Sequence, residues 1–147
     1  MIAGTSAGAA MMSEVMIVEG NSDTNPRANG VETGRGMGFL QGVVIDQHFT
    51  QRGRLGRLLA ALLIEPTTDL GIGIDENTAI LVRGESFEVL GAGAVTVVDK
   101  SETIHNNLDQ LLKDEPMAVF GIKLHILLQG YRFNLTTRQP NLPCHCA

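Results

Sequence analysis

The fold is decided by Val43-Val44-Ile45-Asp46-Gln47-His48, followed by the leucine series of residues 55–63 and by Leu70-Gly71-Ile72-Gly73-Ile74. Val43-Val44-Ile45 is a β-branched apolar run. It is too short for a helix, so it reads as a buried strand over Phe39–Ile45. Leu55, Leu58, Leu59, Leu62 and Leu63 fall at i, i+3, i+4, i+7 and i+8. That spacing predicts a helix with one apolar stripe against a core. Gly53 lies near its start, and Pro66 fixes its end. Residues 70–74 form the next strand. Shorter strands are predicted over Thr78–Val82, Phe87–Leu90 and Ala94–Val98, with Gly84 and Gly91 among the residues that separate them.

Toward the amino end, a short helix is predicted over Ala7–Ser13 and a strand over Val15–Val18. Gly20–Gly38 is rich in Gly, Asn and Pro and reads as a long connection. Toward the carboxyl end, Ser101 opens a second predicted helix through Leu112, with Glu102 in its first turn. Met117–Leu128 and Tyr131–Leu135 alternate like two strands paired around Gln129-Gly130. Helices interleave with strands early and strands dominate late, which indicates a mixed α/β sheet layered with helices.

The chain has 147 residues, 44% of them hydrophobic and 18% charged, with a net charge of −5. One domain of this size buries a real core. The acidic balance argues against general nucleic-acid binding. No apolar run reaches membrane-spanning length, and the first residues do not form a signal peptide, which favours the cytoplasm. Cys144 and Cys146 flank His145 at the end of the chain. Three close ligands with no partner cluster make a poor metal site, and no metal or cofactor is expected.

Gly4-Thr5-Ser6-Ala7-Gly8 is a G-x-S-x-G. A serine there fits a sharp strand-to-helix turn that exposes its hydroxyl. Only three residues precede the motif, so the strand that would hold it is reduced to Met1-Ile2-Ala3. Of the four histidines, His145 is in the tail, His105 sits in a polar stretch, and His125 shares a strand face with Lys123. His48 ends a buried strand, at the sheet edge where α/β proteins bind ligands. From there it can take a proton from serine and return it to a leaving amine. The next strand ends in Asp75-Glu76, and spacing alone does not choose between these carboxylates as the group that orients His48. Arg52, Arg54 and Arg57 crowd into six residues beyond His48. Guanidinium pairs carboxylate bidentately, so the cluster suggests an acidic substrate.

Taken together, these motifs resemble the cyanophycinases, in the serine peptidase group that includes peptidase E. The resemblance rests on residues 4–10, Val18-Glu19-Gly20, Thr24-Asn25-Pro26-Arg27, residues 42–49, residues 51–58 and Gly73-Ile74-Asp75-Glu76-Asn77-Thr78-Ala79. It runs to about Pro140, so residues 1–140 are one portion of a domain and residues 141–147 an unmatched tail. It implies a flavodoxin-like, class I glutamine-amidotransferase-like α/β domain that acts as a cytoplasmic homodimer. The implied substrate is cyanophycin, a poly-aspartate carrying arginine on its side-chain carboxyls, and the implied product is β-aspartyl-arginine. It implies Ser6 as nucleophile, His48 as base and Glu76 as orienting carboxylate, with Asp75 as the fallback. Asp46, Gln47, Arg52, Arg54 and Arg57 are implied to bind substrate. Family members carry roughly half a domain ahead of the serine, including first strands, part of the oxyanion hole and a pocket glutamine. This chain is therefore expected to be a carboxyl-terminal portion, weakly active or inactive alone. The alternatives are a peptidase E-like aspartyl dipeptidase and a fragment that acts only as an assembly partner.

Overall fold

A computed structural model describes residues 1–22, 25–112 and 115–143. Thr24 and the Cys144-His145-Cys146 tail lie outside these. In chain order the elements are α1 (Ala7–Ala10), β1 (Val15–Gly20), β2 (Val31–Arg35), β3 (Val43–Gln47), α2 (Leu55–Ile64), β4 (Leu70–Ile74), β5 (Thr78–Arg83), β6 (Ser86–Gly91), β7 (Val95–Asp99), β8 (His105–Asn106), β9 (Val119–Phe120), β10 (Lys123–Leu127), β11 (Arg132–Asn134) and β12 (Gln139–Asn141).

The central sheet has the order β10-β7-β4-β3. Only β3 and β4 are parallel, in the register Val43↔Leu70 to Gln47↔Ile74, and α2 is the crossover between them. A second sheet, β12-β11-β6-β5, is antiparallel throughout. Strand alternation assigns the central sheet's two faces. Val44 and Val98 join Leu58, Ala61 and Leu62 of α2 in one apolar cluster, with Ile17 and Val31 of the β1–β2 hairpin. Val43, Ile45, Ile72, Val95 and Val97 join Phe87, Val89 and Phe133 of the second sheet in the other. The architecture is thus mixed α/β, with a helix and hairpin on one face of the sheet and a second sheet on the other.

The leucine stripe of α2 is buried at Leu58, Leu62 and Leu63, while Leu55 at the helix start is exposed. The carboxyl end of α2 is tied down by Lys100, whose Nζ donates to the carbonyls of Leu62 (2.5 Å) and Glu65 (2.6 Å). Burial lowers the pKa of that lysine, against the pull of Asp69 and Glu65.

Three expectations are corrected. The stretch Gly20–Gly38 is not all loop, because β2 pairs antiparallel with β1 across a bulge between Ile17 and Glu19. Its glycines hid the alternation that buries Val31. Ser101–Leu112 is not a helix: it holds β8 and a 3-10 turn, Leu108–Gln110. Asn106 Oδ1 accepts from the Leu108 N–H and Asn107 Oδ1 from the Ala118 N–H, the competition by asparagine that disfavours helices. Finally, the strands flanking Gln129-Gly130 do not pair with each other. Strand β10 joins β7 in the central sheet and β11 joins β6 in the second. Alternation reports a strand's two faces, not its partner.

Candidate active site

Ser6 caps α1, and its carbonyl accepts from the N–H groups of Ala9 (2.9 Å) and Ala10 (3.3 Å). Its backbone has φ 51° and ψ −123°, a conformation that costs a non-glycine residue energy and holds only where surroundings enforce it. The chain is tightly packed on itself at Gly4. A Cβ there would lie 2.2 Å from the Gly8 carbonyl oxygen, so this close turn requires glycine.

His48 follows the last residue of β3 and also has a positive φ, 48°. Its loop is seated by Phe49, 3% exposed. The Phe49 ring packs on β4 where a Cβ at Gly73 would lie 2.4 Å from it. Glu76 follows Asp75 at the end of β4.

The structure brings Ser6, His48 and Glu76 together. Ser6 Oγ lies 2.9 Å from His48 Nε2, and His48 Nδ1 lies 2.9 Å from Glu76 Oε1. An ionised carboxylate only accepts, so the shared proton is on Nδ1. Nε2 of the neutral ring is then the acceptor for the Ser6 hydroxyl. The arrangement is open to solvent, with the His48 and Glu76 side chains 26% and 49% exposed.

The charged residues around His48 divide. Asp46 shares the α2-facing side of β3 with Val44, and Arg54 and Arg57 lie three apart at the start of α2. Their side chains are 1%, 7% and 8% exposed. Arg57 grips Asp46 with two nitrogens: Nε donates to Oδ2 at 2.9 Å, and Nη2 to Oδ1. Arg54 Nη1 donates to Asp46 Oδ1 (3.3 Å) and to the Gln47 carbonyl (2.5 Å). Arg57 Nη1 reaches the Gly20 carbonyl at 3.2 Å. Burial lowers the Arg54 pKa, with Asp46 opposing. These three side chains face one another rather than the solvent expected of a substrate-gripping cluster. Arg52 is exposed, and Gln47 is half-buried with an Oε1 that has no partner among the described residues.

Asp75 does not touch His48 among the described contacts. Its carboxylate accepts from the N–H and hydroxyl of Thr50 and from the Ala94 N–H. The Ala94 link at the entry to β7 was missed by sequence reasoning, because it joins segments nineteen residues apart with no shared motif. Of the other histidines, the His125 ring lies against Phe133 and the His105 ring against Phe120, both at 5.5 Å. Among the described residues, no three His, Cys, Asp or Glu side chains converge as a metal-ligand set. No helix of the described residues is long and apolar enough to cross a membrane.

Comparison with known proteins adds three findings. Cyanophycinases of Trichormus variabilis and Geminocystis herdmanii are 45% and 43% identical over 138 and 140 residues, covering 93% and 95% of this chain but 46% and 51% of theirs. The chain thus spans about half the length of the curated relatives it matches. The crystal structure of a peptidase from an acI-B1 Actinobacterium aligns with a TM-score of 0.50 at 23% identity, over 88% of this chain and 43% of that one, a likeness of fold. The model of peptidase family S51 matches residues 1–90, from ahead of Ser6 to beyond Glu76: the chain belongs to that family.

Proposed function

We propose that this chain carries the nucleophile, base and orienting acid of a cytoplasmic serine peptidase that hydrolyses cyanophycin to β-aspartyl-arginine. The observation that carries the reading is the continuous path from Ser6 Oγ through both nitrogens of His48 to Glu76, each contact 2.9 Å. In the proposed reaction the Ser6 hydroxyl attacks a substrate carbonyl while its proton passes to His48 Nε2. Glu76 stabilises the resulting imidazolium, which then protonates the leaving amine. Water cleaves the acyl-Ser6 intermediate by the same route in reverse. The backbone N–H of Ala7 follows the nucleophile, where an oxyanion donor belongs in such elbows.

The burial pattern divides the labour among the charged residues. Asp46, Arg54 and Arg57 are buried against one another and are assigned to holding the His48 loop on α2. Arg52 and Gln47 are assigned to substrate, Arg52 pairing with a backbone carboxylate of the polymer. The parallel β3–α2–β4 unit, with His48 and Glu76 at its carboxyl edge, supports a flavodoxin-like sheet. A homodimer belongs to the same proposal. Leu124 and Ile126 on the outer face of β10, with Leu128 just beyond it, are each at least half exposed, apolar surface that an interface would cover.

The test is incubation of the purified chain with cyanophycin, with mass-spectrometric detection of β-aspartyl-arginine. Release by the wild type and none by Ser6→Ala is expected. Release that continues at full rate in Ser6→Ala contradicts the assignment. A second reading is favoured by the half-length coverage of the relatives: the path is in place, but turnover depends on further length that they carry. It predicts activity only when the corresponding segment of a relative is supplied.

A further inference from the structure

Three successive residues after His48 bind three successive residues at the end of β4. The Phe49 N–H donates to the Ile74 carbonyl at 3.2 Å. Thr50 donates to Asp75 Oδ1 through its N–H at 3.0 Å and its hydroxyl at 2.7 Å. The Glu76 N–H donates to Gln51 Oε1 at 3.1 Å. This one-to-one series lies just beyond the strand ends and is offset by two residues from the β3–β4 register, in which Gln47 faces Ile74. Its centre is Asp75, 9% exposed. The other oxygen of Asp75 accepts from the Ala94 N–H at 3.2 Å, and its own N–H donates to the Ala94 carbonyl at 3.1 Å. One carboxylate thus fastens the His48 turn, the Glu76 turn and the entry to β7.

The His48–Glu76 contact is too exposed to set its own geometry, since a solvent-exposed polar contact holds little energy. The positive φ of His48 also has to be imposed by neighbours. The series, anchored on buried Phe49, Ile74 and Asp75, supplies both constraints.

We propose that Asp75, through Thr50, is a positioning residue. It locks the turn that aims the His48 imidazole between Ser6 and Glu76, and it is not the carboxylate that meets the ring. The inference rests on the reading of Ser6, His48 and Glu76 as a proton path, but its first test does not require turnover. In the full 147-residue chain, two-bond 1H–15N spectra report the His48 tautomer. The wild type is expected in the Nδ1–H form near neutral pH. Asp75→Ala and Thr50→Val are expected to raise the Nε2–H share at least about twofold, while Thr50→Ser, which keeps both donors, stays at the wild-type value.

The second test is the rate at which a fluorophosphonate modifies Ser6, followed against pH. Misplacement of a base costs on the order of 10- to 100-fold; that loss is expected in Asp75→Ala, with a smaller one in Thr50→Val and recovery to within about twofold in Thr50→Ser. If Asp75→Ala fails to fold, the Thr50 pair decides. An unchanged His48 tautomer in folded Asp75→Ala and Thr50→Val overturns the proposal, as does a Thr50→Ser chain no better than Thr50→Val. A wild-type chain whose Ser6 does not react contradicts the hydrolase reading instead, and the tautomer still judges Asp75.

Discussion

Two charged constellations grow from the same twelve residues, 46–57, and they face opposite ways. At the sheet edge, His48 stands with Ser6 and Glu76 in a solvent-open line, with positive φ at both Ser6 and His48. Beneath α2, Asp46 is enclosed by Arg54 and Arg57 with almost no exposure. One residue, Gln47, separates Asp46 from His48. What differs is that Asp46 lies inside β3, where alternation commits it to the helix face. His48 lies just past the strand, where the chain turns and the ring is free to point along the edge. On the proposed reading, the first constellation gains reactivity at the expense of local strain. In the second, the charges are buried against one another.

If that contrast is right, substitutions in the two sets should separate cleanly into lost activity and lost stability. The largest effect is expected at Ser6: Ser6→Ala should lower cyanophycin hydrolysis by roughly a million-fold while leaving the urea midpoint at or above that of the wild type. Glu76→Gln keeps the shape of the relay but removes the charge that holds the Nδ1 proton. A loss of about ten-thousand-fold in turnover is expected, with little change in stability because the contact is exposed. Asp46→Ala should invert the pattern. It leaves two guanidiniums buried without their carboxylate, and urea unfolding should show a loss of about 3–5 kcal/mol. The smallest effect is expected at Arg52, the exposed arginine. Arg52→Ala should raise KM about tenfold, the worth of one charge-assisted hydrogen bond, and shift stability by less than about 0.5 kcal/mol. A large stability loss at Glu76, or a pure KM effect at Asp46, would break the contrast.

The sequence made the central βαβ unit readable because its signals are strong and local. These are a β-branched run, a leucine stripe with helical spacing, and a second apolar run bounded by Pro66 and Asp75. Strands β5 to β7 were legible for the same reason. Strand β2 was obscured by Gly34 and Gly36. The 101–112 segment differs from the expected helix because the Asn106 side chain captures the Leu108 N–H that a helix would have used, while Asn107 binds the Ala118 N–H of a later segment. The partners of β10 and β11 were out of reach, since pairing across layers leaves no mark on a strand's own alternation. At the site, the meeting of the Ser6 turn with the ends of β3 and β4 could be anticipated from where each motif stops. The inward turn of Arg54 and Arg57 could have been anticipated too, because period two places Asp46 beside buried Val44. Residue type drew attention to the arginines, while direction was set by the strand.

The central claim is that His48 activates Ser6 across the 2.9 Å contact between them. It is tested most directly by treating the wild type and His48→Ala with a fluorophosphonate and mapping the adduct by peptide mass spectrometry. The account predicts a single adduct on the peptide containing Ser6, forming with a rate that rises as the imidazole loses its proton and falling at least about a hundredfold in His48→Ala. An adduct elsewhere, or Ser6 modification that proceeds at the wild-type rate without the imidazole, would contradict it.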